Sequence, residues 1–141
     1  MLVPDVNVLL NAQFTSQAHH ASALRWLEAT SEGAEIVGIP NLVFSAFVRI
    51  ATNPNASSTP LSTAEAFAYC DHLRQLPATT PLREGPRHWD LFRSVVLASG
   101  VAGPDVSDAY LATFAIENNA TFVTFDRGFR RFEGLKTLVL D

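Results

Sequence analysis

Short apolar runs alternate along this chain with longer stretches in which apolar residues recur at helical spacing. The short runs predict β-strands at 2–4, 35–39, 79–82, 121–124 and 137–140. The longer stretches predict amphipathic helices at 6–13, 17–29, 41–51, 62–76, 87–99 and 107–118. Strands that alternate with helices are typical of βαβ units, so the sequence predicts an α/β fold with a mostly parallel sheet.

Two helices carry clear local signals. The stretch 41–51 has one continuous apolar stripe, which includes Phe44 and Phe47 and predicts a face packed against the core. Ser62 and Glu65 have the spacing of a capping box, in which each side chain bonds the backbone N–H of the other residue. They predict the start of the next helix.

Composition limits the class of protein. The chain has 141 residues, of which 48% are hydrophobic and 17% charged, so residues 1–141 are expected to form a single globular domain. No apolar run is long enough to cross a membrane, and the first ten residues contain Asp5 and no basic residue, so neither a membrane span nor a signal peptide is expected. Cys70 is the only cysteine, which suits a reducing compartment such as the cytoplasm. The net charge of −4 argues against a general polyanion binder.

Four carboxylates lie at the ends of predicted elements. Asp5 and Asp126 each follow a strand, and Asp105 and Asp108 lie where a late helix begins. The carboxyl ends of parallel strands meet at one edge of a sheet, where open α/β folds bind their ligands. Crowded carboxylates repel one another unless a divalent cation lies among them, so the pattern predicts a magnesium-type site.

Each carboxylate also has a purely structural interpretation. Asp5 can cap the helix that follows it, Asp105 or Asp108 can cap the late helix, and Asp126 can open a turn with Arg127. Three independent caps need not fall at the same topological position, however, whereas oxygen ligands of one metal must meet at one edge. The set of four therefore favours the metal site.

Three sequence blocks resemble those of PIN-domain proteins, and specifically of VapC toxins from bacterial toxin-antitoxin pairs. The blocks read VPDVNVLL at 3–10, DAYLATFA at 108–115 and ATFVTFDRGF at 120–129. They occur in the family's order and extend over nearly the whole chain. The resemblance implies a three-layer α/β/α PIN-like fold.

The same resemblance implies an activity and its partners. It implies a cytoplasmic endoribonuclease that depends on Mg²⁺ or Mn²⁺, forms a homodimer and is inhibited by a VapB-like antitoxin. Asp5, Asp108 and Asp126 match the family's catalytic, metal-binding aspartates. Asn7 and Thr124 match polar residues that would orient those carboxylates or a bound water.

One position departs from the family pattern. PIN domains usually carry a further acidic residue, commonly Glu, on the helix after the second strand. Here that position falls at Phe44 or Ser45, and no acidic residue occurs between Leu42 and Glu65. Mg²⁺ keeps several waters and needs few protein ligands, so the change need not abolish binding. Asp105 is the candidate replacement ligand.

Other polar and aromatic residues have two interpretations each. Arg127, Arg130 and Arg131 follow Asp126 and either contact RNA phosphates or form a solvated turn. The histidines are expected at the surface or at helix caps, and the aromatic residues are expected mainly in the core. These residues are His19, His20 and His88, and Trp26, Trp89 and the ten phenylalanines.

Two rival functions remain. A haloacid-dehalogenase-type phosphatase also places Asp after its first strand, but it needs a second Asp where this chain has Asn7, and the only lysine is Lys136. A degenerate PIN domain would be a non-catalytic RNA- or protein-binding module. The missing acidic residue favours that second rival, and the three matching aspartates oppose it.

Overall fold

The computed structural model describes all residues from Met1 to Asp141. Five strands and six α-helices follow one another with a short 3-10 helix near the end. Their bounds are β1 Leu2–Pro4, α1 Val6–Gln13, α2 His20–Ser31, β2 Val37–Pro40, α3 Asn41–Ala51, α4 Thr63–Gln75, β3 Thr79–Leu82, α5 His88–Ser99, α6 Asp105–Glu117, β4 Thr121–Thr124, the 3-10 helix Arg127–Arg131 and β5 Lys136–Val139.

The five strands form one sheet in the order β3-β2-β1-β4-β5, and every neighbouring pair is parallel. Helix α1 packs on α2 and α3, α3 packs on α4, and α5 packs on α6. Helices on both faces of a parallel sheet make a three-layer α/β/α fold, which confirms the predicted fold class.

The two central strands bring acidic residues to one edge of the sheet. Val3, Phe122 and Val123 are fully buried, as expected for parallel strands covered on both faces. In the β1–β4 register Pro4 pairs with Val123, so β1 ends one residue before β4 at the same edge of the sheet. The residues that follow β1 and β4 are therefore brought together.

Most predicted bounds agree with the structure to within one residue. Strand β2 begins at Val37 rather than at residue 35, and two helices also begin elsewhere. The N-terminus of α2 lies at His20 rather than at residue 17, because the backbone turns through hydrogen bonds from Gln17 N to Phe14 O and from His20 N to Gln17 O. Helix α6 begins at Asp105, two residues earlier than predicted. The capping box of Ser62 and Glu65 is confirmed, with both bonds at 3.1 Å.

No helix combines the length and the apolar character that a membrane crossing requires.

Candidate metal centre

Asp5 lies at the junction of β1 and α1 and is only 6% exposed. Its backbone N–H donates to Val123 O at 2.8 Å, which continues the pairing of β1 with β4. It holds the N-cap position of α1, yet its carboxylate makes no capping bond. Its Oδ2 instead accepts a hydrogen bond of 2.7 Å from the hydroxyl of Thr124. Helix capping therefore does not explain this carboxylate.

Thr124 joins the polar groups at this edge of the sheet. It is fully buried, and its Oγ1 donates to Asp5 while accepting from Asn7 Nδ2 at 3.2 Å and from the backbone N–H of Asp126 at 3.0 Å. Asn7 Oδ1 in turn accepts from the N–H of Phe125 at 3.3 Å. Satisfied networks of this kind fix side-chain positions in a low-dielectric interior.

Asp126 is exposed and opens the 3-10 helix, so its structural interpretation as a turn residue is confirmed. Its Oδ1 accepts from the N–H of Gly128 at 2.7 Å. A Cβ at Gly128 would lie 2.9 Å from that oxygen, so glycine permits the close approach. A capping bond to one oxygen does not prevent Asp126 from acting as a ligand through the other.

Asp105 and Asp108 both lie in the first turn of α6, but neither caps it. Pro104 is the N-cap residue, and it makes no side-chain cap. Asp108 is partly buried, and its Oδ2 accepts a hydrogen bond of 3.0 Å from Arg131 Nη2. The same nitrogen lies 3.9 Å from Asp105 Oδ1, and Asp105 is largely exposed. One guanidinium thus lies against both carboxylates.

Burial dominates the electrostatics of the site. It raises the pKa of Asp5 to about 6, and the negative charges of Asp108 and Asp126 add to the rise, whereas the Thr124 hydroxyl lowers it. Burial also raises the pKa of Asp108, although Arg131 opposes this and Asp105 and Asp126 reinforce it. Neighbouring carboxylates therefore raise the pKa of both Asp5 and Asp108, and Asp5 lacks a compensating cation.

The donor set suits a hard divalent cation. Carboxylate, hydroxyl and amide oxygens are the groups that Mg²⁺ and Mn²⁺ prefer, and no sulfur or imidazole is present among them. A buried carboxylate without a cation partner is stabilised by a nearby positive charge. In this structure no three or more His, Cys, Asp or Glu side chains are close enough together to enclose an ion. Two carboxylates with several waters satisfy Mg²⁺ nonetheless.

We expect the stability of the metal-free protein to fall as pH rises from about 4 to 7. The folded-state pKa of Asp5, about 6, lies above the ordinary value of 3.8 for this side chain, so folding favours the protonated carboxyl and the folded state loses free energy when that carboxyl ionises. The loss is roughly 2–3 kcal/mol. Urea denaturation in EDTA at pH 4.5 and 7.5 should show this loss in the wild type and a smaller one in Asp5→Asn. Equal pH dependence in both proteins would contradict the assignment.

Arg131 is partly exposed, and several contacts fix the position of its guanidinium. Besides its bond to Asp108, its Nη1 donates to Gly128 O at 3.0 Å, and the guanidinium lies 4.6 Å from the ring centroid of Phe132. Arg127 and Arg130 are exposed and form no ion pair. Of the three predicted RNA contacts, only these two carry a free positive charge here.

Arg131→Ala should therefore strengthen Mn²⁺ binding. The guanidinium neutralises Asp108, so a cation must displace it, and a partly exposed ion pair contributes at most about 1 kcal/mol, or about five-fold in affinity. Isothermal titration calorimetry with Mn²⁺ measures the change. Arg130→Ala is the matched control and should bind as the wild type does. Weaker binding by Arg131→Ala would show that the arginine positions Asp108 instead of competing with the ion.

The position of the missing acidic residue contains no substitute. Phe44 is 7% exposed and belongs to the core, as its place on the apolar stripe predicts, and Ser45 is exposed on α3. The guanidinium of Arg74 lies 5.5 Å from the centroid of the Phe44 ring. No carboxylate of α3 can therefore reach the site.

Two aromatic or histidine positions differ from expectation. His88, expected at the surface, is buried with ring centroids 4.5 Å from those of Tyr110 and Phe114. Trp89, expected in the core, is 62% exposed. His19 is exposed at the N-cap of α2, as expected, and it also stacks on Phe125, a long-range contact that no local signal in the sequence indicates.

Comparison with known proteins decides the family. The family described as PIN domain matches residues 2–135 of the chain. The chain belongs to the PIN-domain family. A VapC ribonuclease of Mycobacterium bovis and ribonuclease VapC43 of Mycobacterium tuberculosis are each 40% identical to it over 136 residues, which is 96% of this chain and 92% of each relative. Within the PIN-domain family, the chain is thus a relative of the VapC ribonucleases.

Solved structures agree on the fold. The VapBC2 structure from Rickettsia felis, bound to a promoter DNA fragment, has a TM-score of 0.73 at 17% identity and covers 99% of this PIN domain and 98% of its own chain. Mycobacterium tuberculosis VapC20, described as a sarcin-ricin loop cleaving toxin, has a TM-score of 0.67 at 13% identity, with coverage of 96% and 99%. These similarities show the PIN fold and leave the substrate of this chain open.

Proposed function

We propose that this PIN domain is a Mg²⁺- or Mn²⁺-dependent endoribonuclease toxin that hydrolyses RNA phosphodiester bonds in the cytoplasm. The observation that carries the proposal is the bonded set in which Thr124 holds the buried Asp5 and the backbone of Asp126. Asp108, in the first turn of α6, is close enough to this set for its negative charge to raise the pKa of Asp5. The ribonuclease names of relatives that are 40% identical support the same conclusion.

Each residue has a part in the proposed chemistry. The ion would take its protein ligands from Asp5, Asp108 and Asp126, two carboxylates at a time with waters in the other positions, and Asp105 would be a further candidate in place of the missing glutamate. When bound, the ion activates water and neutralises charge on the departing oxygen.

Neighbouring polar residues would orient those ligands and the substrate. The Thr124 hydroxyl fixes the orientation of the Asp5 carboxylate, and Asn7 fixes Thr124. Asp126 is exposed, so its carboxylate is available to accept a hydrogen bond from the attacking water. Arg127 and Arg130 would contact phosphates on either side of the cut.

Mapping of RNA ends tests this function directly. Total RNA is sequenced from cells in which the wild type or Asp5→Asn is briefly induced, with ends captured by ligation. The proposal expects new ends at defined sites in the wild-type sample only. Identical end profiles in the two samples would refute an endoribonuclease activity.

We further propose that the active form is a homodimer and that a VapB-like antitoxin inhibits it. Similar structures that contain both components, such as the VapBC complexes from Rickettsia felis and Salmonella typhimurium, support the partner. An inhibitory segment that places a basic side chain among Asp5, Asp108 and Asp126 would neutralise them as a cation does. Arg131 already does so for Asp108 within the chain.

This arrangement predicts competition between antitoxin and metal. The antitoxin encoded beside the toxin should bind about ten-fold more tightly in EDTA than in excess Mg²⁺, because its basic side chain and the Mg²⁺ ion compete for the same carboxylates. Surface plasmon resonance with the immobilised toxin gives both affinities, and light scattering gives the oligomeric state. An antitoxin affinity that is the same in EDTA and in Mg²⁺ would show that the basic side chain does not bind at these carboxylates.

A further inference from the structure

An aromatic pair lies beside the carboxylates. The rings of His19 and Phe125 have centroids 4.5 Å apart and planes 14° from parallel, which is a stacked arrangement. Phe125 is partly buried, whereas His19 is exposed. His19 stands at the N-cap of α2 but its side chain makes no capping bond. Capping therefore does not explain the imidazole, and only one of its faces is covered by Phe125.

The backbone on both sides of the pair is fixed by α1. Asn11 Oδ1 accepts from the N–H of His19 at 3.2 Å, and Asn7 Oδ1 accepts from the N–H of Phe125 at 3.3 Å. Asn11 Nδ2 also donates to Asn7 O at 2.7 Å, so the two amides belong to one turn of the helix. His20 Nδ1 makes a 2.8 Å bond with Asn11 O. A surface fixed in this way loses little conformational entropy when a ligand binds.

The pair is next to the reaction site along the chain and in space. Phe125 lies between Thr124, which bonds Asp5, and Asp126. Consecutive Cα atoms are about 3.8 Å apart, so the backbone of Phe125 lies one residue from the carboxylate that is proposed to bind the ion and the attacking water. A cavity of about 240 Å³ adjoins the same turn, and Asn7 and Asn11 are among its lining residues. Neither ring of the pair lines this cavity.

We propose that His19 and Phe125 form a stacking subsite for a nucleobase adjacent to the phosphodiester that is cut. The base lies on the face of His19 that Phe125 does not cover and extends the existing stack. Every nucleobase has a π face, so the subsite increases RNA affinity and orients the substrate but does not discriminate between bases. The proposal rests on the RNA nuclease function and names the contact that orients its substrate.

RNA binding without turnover tests the subsite. The Asp5→Asn protein, which is expected not to hydrolyse RNA, is titrated against a fluorescein-labelled ten-nucleotide oligoadenylate and against an abasic strand of equal length, with anisotropy as the readout. A His19→Ala change in that background should weaken oligoadenylate binding about ten-fold and leave abasic binding unchanged. His19→Phe keeps a stacking ring and should restore the affinity. His72→Ala, at an exposed histidine on α4, is the control.

The outcomes separate stacking from other roles. Unchanged oligoadenylate affinity in His19→Ala overturns the subsite, as does an equal loss for both strands, which would indicate a phosphate contact. Circular dichroism and melting temperature confirm that each variant is folded. Cleavage by the wild type in Mg²⁺ is measured separately. Absent cleavage with base-dependent binding retained would refute the nuclease function and leave the subsite standing.

Discussion

Replacement of Asp5 by Asn should reduce the Mg²⁺-dependent RNA cleavage rate by about a thousand-fold or more. A divalent ion contributes several kcal/mol to the transition state of such hydrolysis, and each 1.36 kcal/mol changes the rate ten-fold. Asparagine keeps the shape of the side chain and can still accept the hydrogen bond from Thr124, but it removes the buried charge that binds the ion. Single-turnover cleavage of an RNA identified by end mapping gives the rate.

The same variant should remain folded and become more stable without metal. Burial disfavours the ionised form of Asp5, so a neutral amide relieves that cost. Asp90→Asn is a suitable control, since Asp90 is an exposed aspartate on α5, far in sequence from the acidic edge. Undiminished cleavage by Asp5→Asn, with normal cleavage by Asp90→Asn, would remove Asp5 from the catalytic set.

Thr124→Val should reduce cleavage about 10- to 100-fold, the usual cost of losing a group that orients a metal ligand. Valine has nearly the same shape but no hydroxyl, so Asp5 loses its donor while Asn7 and the backbone of Asp126 lose their acceptor. Unpaired buried groups also cost about 1–3 kcal/mol of stability. Cleavage rate and urea denaturation measure the two effects.

Two variants separate the role of that hydroxyl from general packing. Thr124→Ser keeps the hydroxyl and should recover most of the activity. Thr113→Val removes another fully buried hydroxyl, which donates only to the backbone oxygen of Ala109 within α6, and should cost little activity. Similar losses from both valine variants would show that Thr124 matters through packing alone.

The sequence predicted the elements that build the site because their signals are local. The strands at 2–4 and 121–124 and the helices at 6–13 and 41–51 have the predicted bounds. Short apolar runs followed by Asp, and a single apolar stripe, do not depend on distant residues. The place of Asp5 and Asp126 at one edge of the sheet follows from these strands and from their parallel pairing.

The remaining features depend on contacts between residues distant in sequence. Arg131 pairs with Asp108, 23 positions earlier in the chain. Its charge therefore neutralises a carboxylate of the same chain, whereas the sequence suggested a contact with RNA phosphate. His19 stacks on Phe125 from the other end of the chain, and His88 is buried by aromatic rings of α6. Their sequence neighbours carry no signal of this packing. The expected surface position is confirmed for His19, without its stacking partner, and is wrong for His88.

Metal dependence is the most direct test of the central claim that these carboxylates form a nuclease centre. The wild-type protein is purified in EDTA, and its cleavage of a mapped RNA is followed as Mg²⁺ or Mn²⁺ is added. We predict no cleavage in EDTA, recovery on addition of either ion and saturation at higher concentration. Cleavage at the same rate in EDTA would contradict the claim, and a protein that remains inactive with both ions would favour a non-catalytic PIN domain.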